Sequence, residues 1–191
     1  MATKTRLTLE EFLALPETKP PSEYIVGEVR QKASPNAIHG ALAGELARIL
    51  GNYLTETGAG RAFAEMRHYS EELNRAYLPD VSVVLEPRAG EAMRQRVVGW
   101  PPDVAIEILS PDDRAMAIVD KVEMYQALKV PLTLLVDPEE RTIREYRPGQ
   151  AARVYQEGDT LDFAPVLPGF VLDVAGLFGI LPAEDRAGQG S

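Results

Sequence analysis

A charged side chain interrupts each of three segments whose other residues predict a buried core. Residues 77–85 are mostly apolar and β-branched, and Pro79 fits the first residue of a strand, so Asp80 is predicted to open that strand. Residues 102–109 are apolar on both alternating faces, which is typical of a strand covered on both sides in an α/β sheet. Glu107 interrupts this second strand.

The third segment is a helix predicted over residues 115–129, after cap-type residues at positions 110–113. At about 100° per residue, its apolar stripe contains Ala117, Ile118, Val122, Met124, Tyr125 and Leu128. Lys121 lies inside this stripe, between Leu128 and Tyr125. The fold must therefore accommodate two acids and a lysine among apolar neighbours.

Each of these charges, taken singly, has an ordinary explanation. Asp80 suits a turn or cap, Glu107 suits a sheet edge, and the stem of Lys121 can cover apolar surface while its amine reaches water. Taken together they favour mutual pairing, with or without a metal, because an uncompensated buried charge is costly. A strand, a second strand and the following crossover helix can bring all three to one end of a sheet, where they form a candidate active site.

These residues also belong to an ordered set of segments that resembles a known family. The set is Glu23-Tyr24-Ile25-Val26-Gly27-Glu28, His39, Pro79-Asp80-Val81, Ile106-Glu107-Ile108-Leu109-Ser110-Pro111, Lys121 with Tyr125, and Leu134-Leu135-Val136-Asp137-Pro138. It resembles the Uma-type endonucleases of the PD-(D/E)XK nuclease superfamily, over about Leu7 to Phe178. The resemblance implies a restriction-endonuclease-like fold and DNA as the substrate.

The resemblance also implies a catalytic site. Asp80, Glu107 and the backbone carbonyl of Ile108 would hold a divalent metal, Mg²⁺ or Mn²⁺, and Lys121 would position or activate water and offset phosphate charge. The superfamily pattern places its lysine two residues after the second acid, where this chain has Leu109. Lys121 therefore takes that role by its position on the next helix.

The chemistry of the residues agrees with such a site. Carboxylate and carbonyl oxygens suit hard cations such as Mg²⁺ and Mn²⁺, which polarise a phosphoryl oxygen and lower the pKa of bound water. The chain has no cysteine, and its two histidines, His39 and His68, lack ligand-type spacing, so zinc is disfavoured.

Two further polar residues are accessory candidates. Glu28 follows Gly27 near the start of the fold and is either an extra acid of the metal site or a solvated hairpin residue. His39, at the start of the first long helix, is either a substrate contact or proton carrier, or a structural helix-end histidine.

The remaining patterns predict one α/β domain over residues 1–182, with a mixed central sheet flanked by helices and with extra N-terminal and C-terminal strands. Residues 183–191 form a predicted mobile tail. Other predicted elements are a helix opened by the capping box Thr8–Glu11 and ended by Pro16, a hairpin or bent strand at 24–32, a long helix from about Ile38 to Gly58, strands at 61–71, 131–136 and 141–146, and a hairpin at 152–163.

Charge opposes the nuclease interpretation. The 191-residue chain has a formal net charge of −9, and DNA affinity rests largely on cationic contacts. Arg94 with Arg96, and Arg141 with Arg144 and Arg147, are either local nucleic-acid patches or solvated faces.

The chain shows no sign of a membrane or secretory segment. No apolar run approaches the roughly 20 residues of a membrane span, and the first residues lack the apolar stretch of a signal peptide. A cytoplasmic location is therefore the default expectation.

The C-terminal segment, residues 166–182, carries many large apolar side chains after the predicted catalytic core is complete. They either pack back onto the same sheet or are covered by self-association, and we expect a homodimer or higher homo-oligomer.

The sequence as a whole favours a metal-dependent endonuclease that hydrolyses DNA. The alternative is a non-catalytic binding or assembly module that keeps a nuclease-like fold, with the acids and the lysine as a buried ionic cluster. Both acids together with Lys121 favour the enzyme, and the net charge of −9 favours the module.

Overall fold

The fold is built around a six-stranded sheet, in a computed structural model that describes residues 6–33, 35–110 and 115–182. In chain order the elements are α1 (Leu9–Ala14), β1 (Ser22–Ile25), β2 (Glu28–Gln31), α2 (Ala37–Thr57), β3 (Gly60–Ala64), β4 (His68–Ser70), β5 (Arg75–Tyr77), β6 (Val81–Leu85), α3 (Arg88–Ala92), β7 (Val104–Ile108), α4 (Ala115–Ala127), β8 (Leu132–Asp137), β9 (Thr142–Tyr146), β10 (Arg153–Gln156), β11 (Thr160–Asp162), β12 (Val171–Asp173) and α5 (Val174–Phe178).

The large sheet is mixed. Its strand order is β10-β9-β8-β7-β6-β3. Strands β7 and β8 are parallel, and α4 connects them, whereas the other neighbours pair antiparallel. A parallel pair needs such a crossover connection, which explains why a helix stands between these two strands. The predicted α/β fold, with a mixed central sheet flanked by helices, is confirmed.

Successive side chains of the central strands point to opposite faces of the sheet, and both faces are covered. Val81 and Ile106 join a core cluster with the C-terminal segment and with the buried leucines of α2. Ala105 packs on the opposite face with Met124 and Tyr125 of α4. The leucines of α2 recur every fourth residue, which places them on one stripe: Leu42, Leu46, Leu50 and Leu54.

A second, four-stranded antiparallel sheet, β2-β1-β5-β4, lies beside α4. Arg75 of β5 donates two hydrogen bonds, of 2.7 and 2.8 Å, to the carboxylate of Asp120 on α4. Such a bidentate pair fixes both position and orientation. On its other side, β1 stacks Tyr24 against Phe12 of α1, with the ring centroids 5.5 Å apart. The predicted N-terminal hairpin is therefore part of a separate sheet that is anchored to α4.

Three predicted elements are corrected by the structure. The strand expected over residues 61–71 is two strands, β3 and β4, which belong to different sheets and are separated by Glu65 at φ 48°. The hairpin expected over residues 152–163 does not form, because β10 pairs with β9 whereas β11 pairs with β12. The run at 77–85 ends one strand at Tyr77 and begins the next at Val81, so Asp80 immediately precedes its strand.

The C-terminal segment packs back into the protein's own core. Leu177 and Phe178 are buried in the same cluster as α2, and Phe170 lies with its ring centroid 5.1 Å from that of Tyr53. This burial covers most of the apolar side chains for which we expected self-association, whereas Val171 and Ile180 are exposed, and the homo-oligomer itself stays a prediction. Residues 183–191, expected to form a tail, and the cap residues 111–113 lie outside the described part of the chain.

Within the described ranges, the helices are too short or too polar to cross a bilayer.

One buried histidine makes the stability of this fold depend on pH. His68 of β4 is fully buried, and its Nδ1 lies 2.8 Å from the carbonyl oxygen of Trp100, to which it donates. Burial lowers the pKa of His68 to about 4, since the backbone hydrogen bond to Trp100 opposes this shift only in part and Arg88 adds to it. Between the two pKa values the unfolded chain binds a proton that the folded chain does not, so stability falls as the pH falls.

We predict that His68→Asn, which keeps a donor toward Trp100, flattens this dependence. Between about pH 7 and about pH 5, the free energy of unfolding should fall by about 2 kcal/mol more in the wild type than in the variant. Urea denaturation at the two pH values measures the difference. Parallel pH profiles of the two proteins would contradict the prediction.

Candidate active site

The strand register places two acids opposite each other. Strands β6 and β7 pair antiparallel, with Val81 opposite Ile106. One residue further along this register, Asp80 lies opposite Glu107. Directly opposed side chains share a face, and like charges there are destabilising. Asp80 is 2% exposed and Glu107 is 5% exposed, so neighbouring groups must offset both charges.

Three donors from three different parts of the chain surround Asp80. The amine of Lys32, just beyond β2, donates to Oδ1 at 2.6 Å. The backbone N–H of Ile108 donates to Oδ2 at 2.8 Å. Nε2 of His39, in the first turn of α2, lies 3.1 Å from Oδ2 and must carry the proton, because a carboxylate only accepts. The Asp80 carboxylate thus joins the hairpin, the central sheet and α2.

Helix α4 provides the partners of Glu107. The hydroxyl of Tyr125 donates to Oε1 at 2.6 Å, and the amine of Lys121 donates to Oε2 at 2.7 Å. These positions are four apart and therefore face the same side of the helix. Lys121 also lies 3.8 Å from Oε1 of Glu23 on β1, an oxygen that accepts the backbone N–H of Leu78 at 3.1 Å. Lys121 is consequently held between two buried acids.

The environment moves the pKa values of the two opposed acids in opposite directions. Burial by itself would raise the pKa of Asp80, but the hydrogen bond from His39 and the charges of Lys32 and Lys121 hold it below its ordinary value. Burial raises the pKa of Glu107, and the Asp80 carboxylate raises it further against the opposing charge of Lys121. Glu107 is therefore the acid whose ionised form would gain most from an additional cation.

Both acids line a cavity of about 160 Å³ between the two sheets and α4. Its other charged or titratable lining groups include Glu23, Lys32, His39, Asp120 and Lys121. Cationic and acidic side chains therefore both line this space.

This donor set fits a hard divalent cation. Within the described residues, no three His, Cys, Asp or Glu side chains converge on one metal position. The side chains that could hold such an ion are the two opposed carboxylates, Asp80 and Glu107, with a backbone oxygen and water as further ligands. Mg²⁺ usually takes one or two carboxylates and keeps several waters, so a small set of oxygen ligands is what it requires. No sulfur ligand exists in the chain, which disfavours softer metals.

The structure brings together four of the five predicted side chains: Asp80, Glu107, Lys121 and His39. Glu28 lies elsewhere, in the exposed strand β2, where its carboxylate pairs with Arg30 at 3.5 Å.

Two residues of the cavity, Glu23 and Lys32, were not singled out as site residues. Glu23 is a charged residue in the buried strand β1, the same signal that identified Glu107. Lys32 follows a polar, exposed strand, and nothing in the local sequence pattern marks it.

The predicted basic patches are largely engaged within the chain. Arg96 donates to the carbonyls of Leu13 and Leu15 at the end of α1. Arg141 pairs with Glu157, and Arg147 pairs with the buried Glu145. Arg94 and Arg144, the other two members of these patches, are exposed.

Comparison with known proteins gives a consistent result. The model of a family described as "Uma2: Putative restriction endonuclease" matches residues 9–175, a span that contains every cavity residue named above. The crystal structure of a protein described as a putative nuclease, from Anabaena variabilis, is 30% identical, with a TM-score of 0.82 over 91% of this chain and 98% of that chain.

A second solved structure, a DrdV–DNA complex, is 14% identical, with a TM-score of 0.41 over 74% of this chain and 12% of that chain, a likeness too low to carry any argument. No curated protein matches the sequence.

The hydrogen bond from Tyr125 to Glu107 can be tested by itself. Tyr125→Phe keeps the ring but leaves a buried carboxylate oxygen without its donor. In the metal-free protein, this change should lower the free energy of unfolding by about 1–3 kcal/mol. Tyr53→Phe is the matched control, because its hydroxyl bonds to the Pro168 carbonyl at a solvent-exposed position and its loss should cost under about 0.5 kcal/mol. Equal losses in the two variants, measured by urea denaturation, would contradict the prediction.

Proposed function

Because the chain belongs to the Uma2 family of putative restriction endonucleases, we propose that it is a divalent-metal-dependent endonuclease that hydrolyses phosphodiester bonds of DNA. The observation that carries the proposal is the buried pair Asp80 and Glu107, opposed across β6 and β7 and flanked by Lys32 and Lys121. A cytoplasmic location and self-association belong to the same proposal.

Asp80 and Glu107 would hold the metal ion, Mg²⁺ or Mn²⁺, together with the backbone carbonyl of Ile108. When bound, such an ion polarises a phosphoryl oxygen and lowers the pKa of a coordinated water. The low pKa of Asp80 keeps that carboxylate ionised and ready to bind a cation. Glu107, whose pKa burial raises, supplies the second carboxylate once a cation offsets its desolvation.

Lys121 would act as a fixed positive charge. Burial alone would lower the pKa of its amine, but the charges of Glu107 and Glu23 raise it above the ordinary value, so the amine stays protonated. A protonated amine cannot remove a proton from water, but it offsets the negative charge that develops on a pentacoordinate phosphate. Glu23 and Tyr125 position this machinery: Glu23 lies beside Lys121, and Tyr125 holds Glu107.

His39 has two roles in the proposal. Its bond to Asp80 fixes the orientation of that carboxylate, and its place in the cavity wall also exposes it to a substrate.

The metal ion itself is the first test. Asp80→Asn and Glu107→Gln keep the shape of each side chain while removing its charge. Each change should weaken Mg²⁺ or Mn²⁺ binding by at least about tenfold, since even residues that only support metal ligands are worth that much. Isothermal titration calorimetry measures the affinity, and Glu28→Gln is the control that should leave it unchanged. Equal binding by the wild type and the Asp80→Asn/Glu107→Gln double variant would rule out this site.

Cleavage is the second test. Lys121→Met should keep the fold but lower the rate of metal-dependent DNA cleavage by about 100- to 1,000-fold, because a charge that stabilises the transition state is lost. Lys129→Met, at an exposed position just beyond α4, should cleave like the wild type. The assay uses single- and double-stranded DNA with Mg²⁺ or Mn²⁺, and circular dichroism confirms folding.

A non-catalytic binding or assembly module is the competing interpretation. The net charge of −9 and the internal pairing of Arg96, Arg141 and Arg147 favour it, because DNA affinity rests largely on cationic contacts and these three arginines are already engaged within the chain. If highly purified wild-type protein binds metal but cleaves neither form of DNA, this module becomes the better assignment.

A further inference from the structure

Lys32 is the cavity residue whose role the proposed endonuclease mechanism leaves open. Its amine donates to Oδ1 of Asp80 at 2.6 Å and to the carbonyl oxygen of Leu78 at 3.0 Å. The side chain is 12% exposed, which is low for a lysine on the edge of a hairpin. Burial alone would lower the pKa of the amine, but the charges of Glu107 and Asp80 raise it, so Lys32 is a full positive charge inside the site.

Asp80 explains why such a charge is needed. The carboxylate is almost completely buried, and leaving it without a counter-charge would be costly. The proposed metal would supply the same compensation to the same carboxylate. Two cations drawn to one oxygen repel each other strongly in a weakly screened interior, so an ammonium and a divalent ion compete for Oδ1.

The two lysines of the cavity respond differently to this competition. Lys121 lies between two acids. It would therefore keep its contact with Glu23, at 3.8 Å, if Glu107 bound a metal. Among residues 6–33, 35–110 and 115–182, Asp80 is the acid within ion-pair distance of Lys32, and the amine also donates to the neutral carbonyl of Leu78. Lys32 is therefore the cation that a metal would release.

We propose that Lys32 is a displaceable counter-ion, which holds Asp80 in the metal-free protein and turns toward the substrate phosphate when a divalent ion takes its place. The inference rests on the proposed function. It gives the site two settings: in one, Lys32 compensates Asp80 from within, and in the other, the divalent ion does so, which adds two positive charges and leaves a free ammonium at the cavity wall. Coupling of this kind would make phosphate binding depend on prior metal binding.

The test compares metal affinity in the wild type, Lys32→Met and the control Lys129→Met, by calorimetry with Mn²⁺ at about pH 8. If Lys32 competes with the ion, Lys32→Met should bind Mn²⁺ at least about tenfold more tightly than the wild type, which corresponds to 1.4 kcal/mol or more. Lys129→Met should match the wild type. Unchanged or weaker Mn²⁺ binding in Lys32→Met would overturn the inference.

The wild type provides a measurement that does not depend on the folding of a variant. Nuclear magnetic resonance of the lysine side chains during Mg²⁺ titration should show a larger change at Lys32 than at Lys121, because Lys32 would lose its contact with Asp80 whereas Lys121 would keep Glu23 beside it. Equal changes, or a larger change at Lys121, would refute displacement.

Cleavage assays separate this inference from the proposed function. If Lys32 contacts the phosphate, Lys32→Met should bind metal more tightly yet cleave DNA at least about tenfold more slowly at saturating Mn²⁺. Full cleavage by Lys32→Met would overturn the phosphate contact while leaving the endonuclease assignment intact. Absence of metal binding in both proteins would overturn the endonuclease and the inference together.

Discussion

The opposition of Asp80 and Glu107 across β6 and β7 is the constraint to which the rest of the site responds. Two carboxylates on one face of adjacent strands repel each other, and burial deprives both of water. The surrounding elements supply the compensation: α4 brings a lysine and a tyrosine to Glu107, while the hairpin and α2 bring a lysine and a histidine to Asp80. The positions of these four side chains are therefore explained by the compensation of two buried charges as well as by apolar packing.

In the proposed function, the same arrangement would let an acidic protein bind a phosphate group. A formal charge of −9 describes the whole molecule, whereas a substrate group inside the cavity meets the nearest charges first. Lys32 and Lys121 line that space together with four carboxylates, those of Glu23, Asp80, Glu107 and Asp120. In the proposed function, a bound metal ion would add to the positive charge of the two lysines. Affinity for one phosphodiester in the cavity and affinity for a long backbone are therefore separate properties, and the paired arginines on the outside of the protein limit only the second.

The parts of the structure that were visible in the sequence are those governed by local periodicity. Glu107 and Lys121 interrupt strongly patterned segments, so their burial could be predicted from their neighbours. The burial of Lys32 could not be predicted, because its neighbours in β2 are mostly polar and its partner Asp80 is far along the chain, just before a strand of the other sheet. The same limit explains the hairpin wrongly expected at residues 152–163: the local pattern identifies strands, but partner choice depends on which sheet edge is open. Self-association was predicted only from the apolar side chains of the C-terminal segment. The buried ones among them pack in the same core cluster as the leucines of α2.

The division of the site between two sheets has a consequence for how the protein folds. Glu23 and Lys32 belong to the small sheet and its edge, whereas Asp80 and Glu107 belong to the large one, and Arg75 with Asp120 joins the small sheet to α4. If the small sheet detached, Asp80 would lose Lys32 and the interior would keep an unbalanced charge. Partly folded states of this kind are penalised, so the charges that line the cavity also bind the two sheets into a single cooperative unit.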